Sequence, residues 1–155
     1  MLFEKIDMTG EKQVGHISLM EFVRNIKPYI NYDNGKFKEF SFMDQVKIIN
    51  NYFSAIKKVY VDEWDKDKQP IFKTTIFGGL LKSLDDIWDI EIRENGKFKV
   101  DDIVKLLEES NIESLEKIAS NLGGGFKAQD NYHKKFVKSI KDNFRNKYGT
   151  STIEL

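Results

Sequence analysis

The stretch from Ser41 to Trp64 constrains this chain more than any other. Phe42, Val46, Ile49, Phe53, Ile56 and Tyr60 recur at steps of three and four. Tyr52, Val59 and Trp64 flank them, and Lys47, Asn51, Ser54 and Lys58 occupy the opposite side. That period is the signature of an α-helix with one apolar face, not of a strand. Ser41 with Asp44 three residues later supplies a capping box at its start. A helix so rich in aromatic residues is a central core element, and a base-stacking stripe is the less favoured reading.

The rest of the chain reads as further helices around it. Ser18 and Glu21 open a helix carrying Leu19, Met20, Phe22, Val23, Ile26 and Ile30, which Pro28 kinks or ends. Ile76, Phe77, Leu80, Leu81, Leu84, Ile87 and Trp88 keep the helical period in spite of Gly78 and Gly79. Each glycine costs about 1 kcal/mol against alanine inside a helix, so close approach of another helix is the expected compensation. Helices are also predicted from Asp101 or Asp102 to Glu109, from Ser114 to Asn121, and from Gln129 to Lys147.

Three segments read differently. Residues 1–16 form an extended lead-in, Asp62 to Lys68 a solvated connector, and 149–155 a disordered tail. Ile90, Ile92, Phe98 and Val100 alternate with charged residues around Asn95-Gly96, a pattern that predicts a short hairpin. The string Asn-Gly-Lys-Phe-Lys occurs at 34–38 and again at 95–99, read as one turn chemistry used twice. The expected fold is mainly α: a single domain over 1–155, a compact bundle of about six helices with at most one small β-hairpin.

Composition removes several function classes. With no cysteine the chain has no disulfide, thiol nucleophile or Cys-based zinc site, and two histidines, His16 and His133, make a His-rich centre improbable. No apolar run approaches the 18 or so residues that span a bilayer, and the N-terminus lacks the pattern of a signal peptide. A cytoplasmic protein without membrane association or cofactor is the expectation.

Net charge is zero, yet the charge is segregated. Asp85 to Glu116 holds eleven acidic and four basic residues; Phe126 to Tyr148 holds seven basic and two acidic. On the last helix Lys134, Lys138, Lys141 and Arg145 form one stripe, with Lys127 at its start. The opposite arc carries Tyr132, Phe136, Val137, Ile140 and Phe144. Such a stripe suits nucleic-acid phosphates, unless the acidic middle of the chain already pairs with it.

The remaining candidates are weaker. Gly123-Gly124-Gly125 lacks the Lys-Ser/Thr ending of a phosphate loop and reads as a hinge. His133 falls on the apolar arc and reads as a packed or half-buried histidine. Asp85, Asp86 and Asp89 have a spacing that could hold a hard cation, but a solvated face is the better reading. No nucleophile–base pair stands out, so no catalytic residue and no metal ligand is assigned.

Three stretches resemble the DGQHR-domain family, which includes DndB-like proteins of bacterial DNA phosphorothioation systems. They are Phe3 to Asp7 with Ile17 to Val23, then Val46 through Asn51-Tyr52-Phe53-Ser54-Ala55-Ile56 to Trp64, then Phe72-Lys73-Thr74-Thr75-Ile76-Phe77-Gly78-Gly79-Leu80-Leu81. The last is similar to a Lys-Thr-x-x-Gly-x-x-x-Leu segment of that family. The Asp-Gly-Gln-His-Arg motif itself is absent from this sequence. The resemblance therefore implies the C-terminal helical half of such a protein, carrying no catalytic residues, in the setting of DNA modification or defence. Three functional readings remain: a module that contacts DNA through the stripe of the last helix, a domain that docks a partner subunit or the motif-bearing half, and, least favoured, an enzyme with a carboxylate site around Asp85 to Asp89.

Overall fold

The computed structural model describes residues 2–10, 15–65 and 70–148, with the side chains of Phe3 and of 145–148 excluded. Seven α-helices lie among them: α1 (Leu19–Ile30), α2 (Phe42–Val59), α3 (Val61–Asp65), α4 (Thr74–Asn95), α5 (Val100–Glu109), α6 (Leu115–Ile118) and α7 (Gly125–Tyr148). Two strands, β1 (Ile6–Asp7) and β2 (Ile17–Ser18), pair in parallel, and short 3-10 turns cover Leu2–Lys5 and Pro70–Phe72. The fold is mainly α, as the periodicity predicts.

Two helix starts follow the sequence closely, whereas α7 begins at Gly125, not at Gln129, and α6 ends at Ile118, short of Asn121. Ser18 Oγ accepts the Glu21 N–H and Ser41 Oγ accepts the Asp44 N–H, each at 3.2 Å. These bonds satisfy donors that a helix start leaves unpaired. Pro28 sits in the final turn of α1, which ends two residues later.

At the centre runs α4, whose residues from Ile76 to Leu81 are all buried. That turn is apolar on every side and is covered by α1, α5 and α7 and by Tyr52 and Phe53 of α2. Gly78 and Gly79 are where α7 crosses. A Cβ on Gly78 would stand 2.8 Å from Gln129 Cγ, and one on Gly79 2.7 Å from Tyr132 Cβ. Close helix approach is the compensation that the two glycines require.

Hydrogen bonds reinforce the same turn of α4. The Gly79 carbonyl accepts from Ser83 Oγ at 2.7 Å, the Leu80 carbonyl from Tyr52 Oη at 2.8 Å, and the Leu81 carbonyl from Tyr29 Oη. Burial pushes both phenols well above their ordinary range, so they stay neutral donors.

Several expectations are corrected. Residues 90–100 form no hairpin: α4 continues to Asn95, because Ile87, Ile90 and Glu91 face the interior at helical spacing. Gly96, at φ +64, caps that helix, donating its N–H to the Ile92 carbonyl at 3.0 Å. The sheet pairs parallel strands, and the lead-in is not extended throughout, since Leu2–Lys5 makes a 3-10 turn. Within the expected connector, α3 buries Glu63 and Trp64. Glu63 accepts the Leu115 and Glu116 N–H groups, each at 2.8 Å, and so seats α6 on α3. Phe42, assigned to the core face of α2, is 71% exposed. The expected tail, 149–155, lies outside the described residues.

The repeated Asn-Gly-Lys-Phe-Lys string has a structural meaning other than a shared turn. Gly35 leaves no room for a Cβ, which would stand 2.6 Å from the Tyr29 carbonyl oxygen, whereas Gly96 needs a left-handed backbone. What the two copies share is a buried phenylalanine against one tryptophan. The rings of Phe37 and Phe98 lie 4.9 and 5.0 Å from Trp88.

The crossing yields a stability prediction. Replacing Gly79 with alanine should destabilise by about 1–3 kcal/mol through overpacking, although alanine is the better helix former. Gly124, where a Cβ meets nothing within 4 Å, is the control and should change by less than about 0.5 kcal/mol. Urea unfolding followed by circular dichroism measures both.

Candidate functional site

The apolar arc of α7 is buried as its sequence predicts: Tyr132, Phe136, Val137 and Ile140 join the core and Phe144 packs at its edge. The basic residues consequently face outward. Lys127, Lys134 and Lys138 are exposed along one side of the helix, and neither Lys127 nor Lys134 forms an ion pair among the described residues. Lys138 pairs with Asp142 within the helix at 3.0 Å. Arg145 lies in α7, but its side chain falls outside the described set.

Lys141 behaves differently. Its ammonium lies 3.1 Å from Asp86 of α4, whose other carboxylate oxygen is 2.7 Å from His133 Nε2. One turn of α7 nearer its start, Asp130 pairs with Lys82 of α4. The acidic middle and the basic helix therefore meet inside the fold, along the α4–α7 seam. His133 is half-buried and held by a carboxylate, as its position on the arc implies. Partial burial pulls the Asp86 carboxyl upward, but His133 and Lys141 outweigh it and hold the group below the usual range.

Asp85 and Asp89, a candidate cation pair by spacing, both engage the ammonium of Lys36, Asp89 at 2.7 Å. Among the described residues no group of three acidic or histidine side chains is placed to hold a metal ion. His16 immediately precedes β2. The triple glycine forms a tight turn into α7, tied to α4 by the Thr75 hydroxyl, which donates to the Gly123 carbonyl at 3.1 Å. Among the described residues no helix is long and apolar enough to cross a membrane.

Sequence reading missed a different surface. Phe22 and Ile26 of α1 and Val46 and Ile49 of α2 line one small apolar cleft with Leu2 and Ile6. Along the outer edges of the same two helices lie side chains left in solvent: Leu19, Met20 and Val23 on α1, and Phe42 and Met43 on α2. Met20, Phe42 and Met43 are each about 70% exposed. By helical spacing Val23 is one turn from Leu19 and Met20, and Phe42 and Met43 are one turn from Val46. The signal was in the sequence, as apolar positions too numerous for one buried stripe, but periodicity alone assigns them to the core.

The Asp86 arrangement makes stability depend on pH. A carboxyl held below its ordinary value stabilises the fold above the usual aspartate range, and that contribution disappears as pH falls through the lowered value. Asp86→Asn should therefore cost about 1 kcal/mol at pH 7, and the difference from the parent should shrink as pH falls below the usual aspartate range. Urea midpoints across that range test it, and equal midpoints at pH 7 would count against the pairing.

No protein-family profile, no curated protein and no solved structure matches this chain.

Proposed function

We propose that this chain is a non-catalytic helical module of a DGQHR-type bacterial protein, working in a DNA modification or defence system by docking another protein. The observation that carries this reading is the set of exposed apolar side chains on α1 and α2: Leu19, Met20, Val23, Phe42 and Met43. Single exposed apolar residues are ordinary, but several on two helices that share one apolar cleft suit a protein contact. Methionine suits such a surface because its flexible thioether adapts to the partner's shape. The partner in this reading is the motif-bearing half that the family resemblance implies.

Titration of a separately produced DGQHR-motif domain, followed by calorimetry and light scattering, tests this. A one-to-one complex is expected. Met20→Lys and Phe42→Asp should each weaken it at least tenfold, about 1.4 kcal/mol, as for residues central to an interface. Absence of a complex, or indifference of both variants, would sink the proposal.

Contact with DNA is the second reading, favoured by the outward alignment of Lys127, Lys134 and Lys138. It draws no support from Lys141, which is engaged by Asp86. Three phosphate contacts would give a slope of about −2.7 in a plot of log affinity against log salt on duplex DNA. Changing the three lysines to glutamate should abolish that binding, and binding that survives would remove this face from consideration.

A further inference from the structure

Between α1, α4 and the first turns of α7 lies a groove of about 450 Å³, within the size range of small-molecule sites. Its wall carries three cations, Arg24, Lys36 and Lys82, with Phe126 and His133 and a single carboxylate, Asp85. Phe126 is 52% exposed, and two of the cations approach its ring. The Arg24 guanidinium carbon is 4.9 Å and the Lys82 ammonium 5.8 Å from the ring centroid. An aromatic ring at a groove edge, braced by cation–π contacts, offers a flat face on which a second ring can stack.

The charged groups are positioned and still have capacity. Glu21 takes one bond from Arg24, Asp130 one from Lys82, and Asp85 and Asp89 hold Lys36. An arginine has five donors and a lysine three, so four, two and one remain respectively for a ligand. Asp86 binds His133 through Nε2, which fixes the ring and leaves Nδ1 outside that bond. Four carboxylates, Glu21, Asp85, Asp89 and Asp130, pair with the three cations, so recognition rests on directed donors and on the ring together, not on net charge. Neither alone would suffice.

We propose that this groove binds a small aromatic anion, its planar ring stacked on Phe126 and its carboxylate or phosphate held by Arg24, Lys82 and Lys36. The site is independent of the docking surface, because none of its residues belongs to the apolar edge of α1 and α2. A free metabolite and the terminal nucleotide of a strand present the same chemistry, and the two sources are separable by experiment.

Phenyl phosphate is the probe, titrated into the full chain and followed by ¹H–¹⁵N correlation spectra and by the ring C–H resonances of His133. Saturable shifts are expected at Phe126, Lys82 and His133. Inorganic phosphate, which lacks the ring, and benzyl alcohol, which lacks the charge, should each bind at least tenfold more weakly. Phe126→Leu, which keeps apolar bulk without the ring, and Arg24→Gln should each reduce affinity at least tenfold, and Phe42→Asp should leave it unchanged. Thymidine 5′-monophosphate and a short oligothymidylate then separate the sources: the free ligand reading predicts tighter binding of the monomer, the strand reading tighter binding of the oligomer, each weakened at least tenfold by Phe126→Leu. Phenyl phosphate binding no tighter than inorganic phosphate, or an unaffected Phe126→Leu variant in a chain that unfolds normally, would overturn the proposal.

Discussion

The close crossing of α4 and α7 at Gly78 and Gly79 sets the positions of most other parts. With no side chains on that surface of α4, Gln129 and Tyr132 seat directly against its backbone. Tyr132 in turn reaches α6, donating its hydroxyl to the Leu115 carbonyl at 3.0 Å, and the same start of α6 is held by Glu63 of α3. One contact made possible by two glycines thus connects four helices. The dispersion lost by omitting two side chains is recovered in dense packing of the neighbours.

The crossing also decides what α7 can present to a partner. Seating Tyr132 and Phe136 inward directs Lys127, Lys134 and Lys138 outward, while it brings Lys141 and His133 to the seam with Asp86. A charge stripe that looks uniform on a helical wheel is therefore divided by the fold into an outer part and a part used for internal pairing. Partly exposed pairs along such a seam add only modestly to stability. The same seam places Phe126 and His133 at the groove beside α1, and leaves the apolar edge of α1 and α2 on a separate surface.

Most helices were legible because their signals are local. Ser18 and Ser41 cap helices within three residues, and the spacing of Ile49, Phe53 and Ile56 is self-contained. What was not legible depended on partners distant in the chain. Asn95-Gly96 serves equally as a hairpin turn or a helix cap, and the choice was made by burial of Ile90 and Glu91 among other helices. Glu63 looks like one more charge in an acidic run until its partners, more than fifty residues away, are known. The division of the basic stripe has the same origin, since Asp86 and Lys141 are also distant in sequence. Phe42 and Met43 show the converse limit: a period continues past the point where a neighbouring helix covers it.

A double-mutant cycle between Gly79 and Tyr132 tests the dependence of the fold on this crossing most directly. Gly79→Ala, Tyr132→Ala and the double variant would be compared by urea unfolding. If the ring seated on the glycine is what makes that position intolerant, the alanine at 79 should cost little once the ring is removed. The predicted coupling is at least about 1 kcal/mol, within the range for residues in contact. Costs that add within about 0.3 kcal/mol would contradict the account, because Gly79 would then be acting independently of α7.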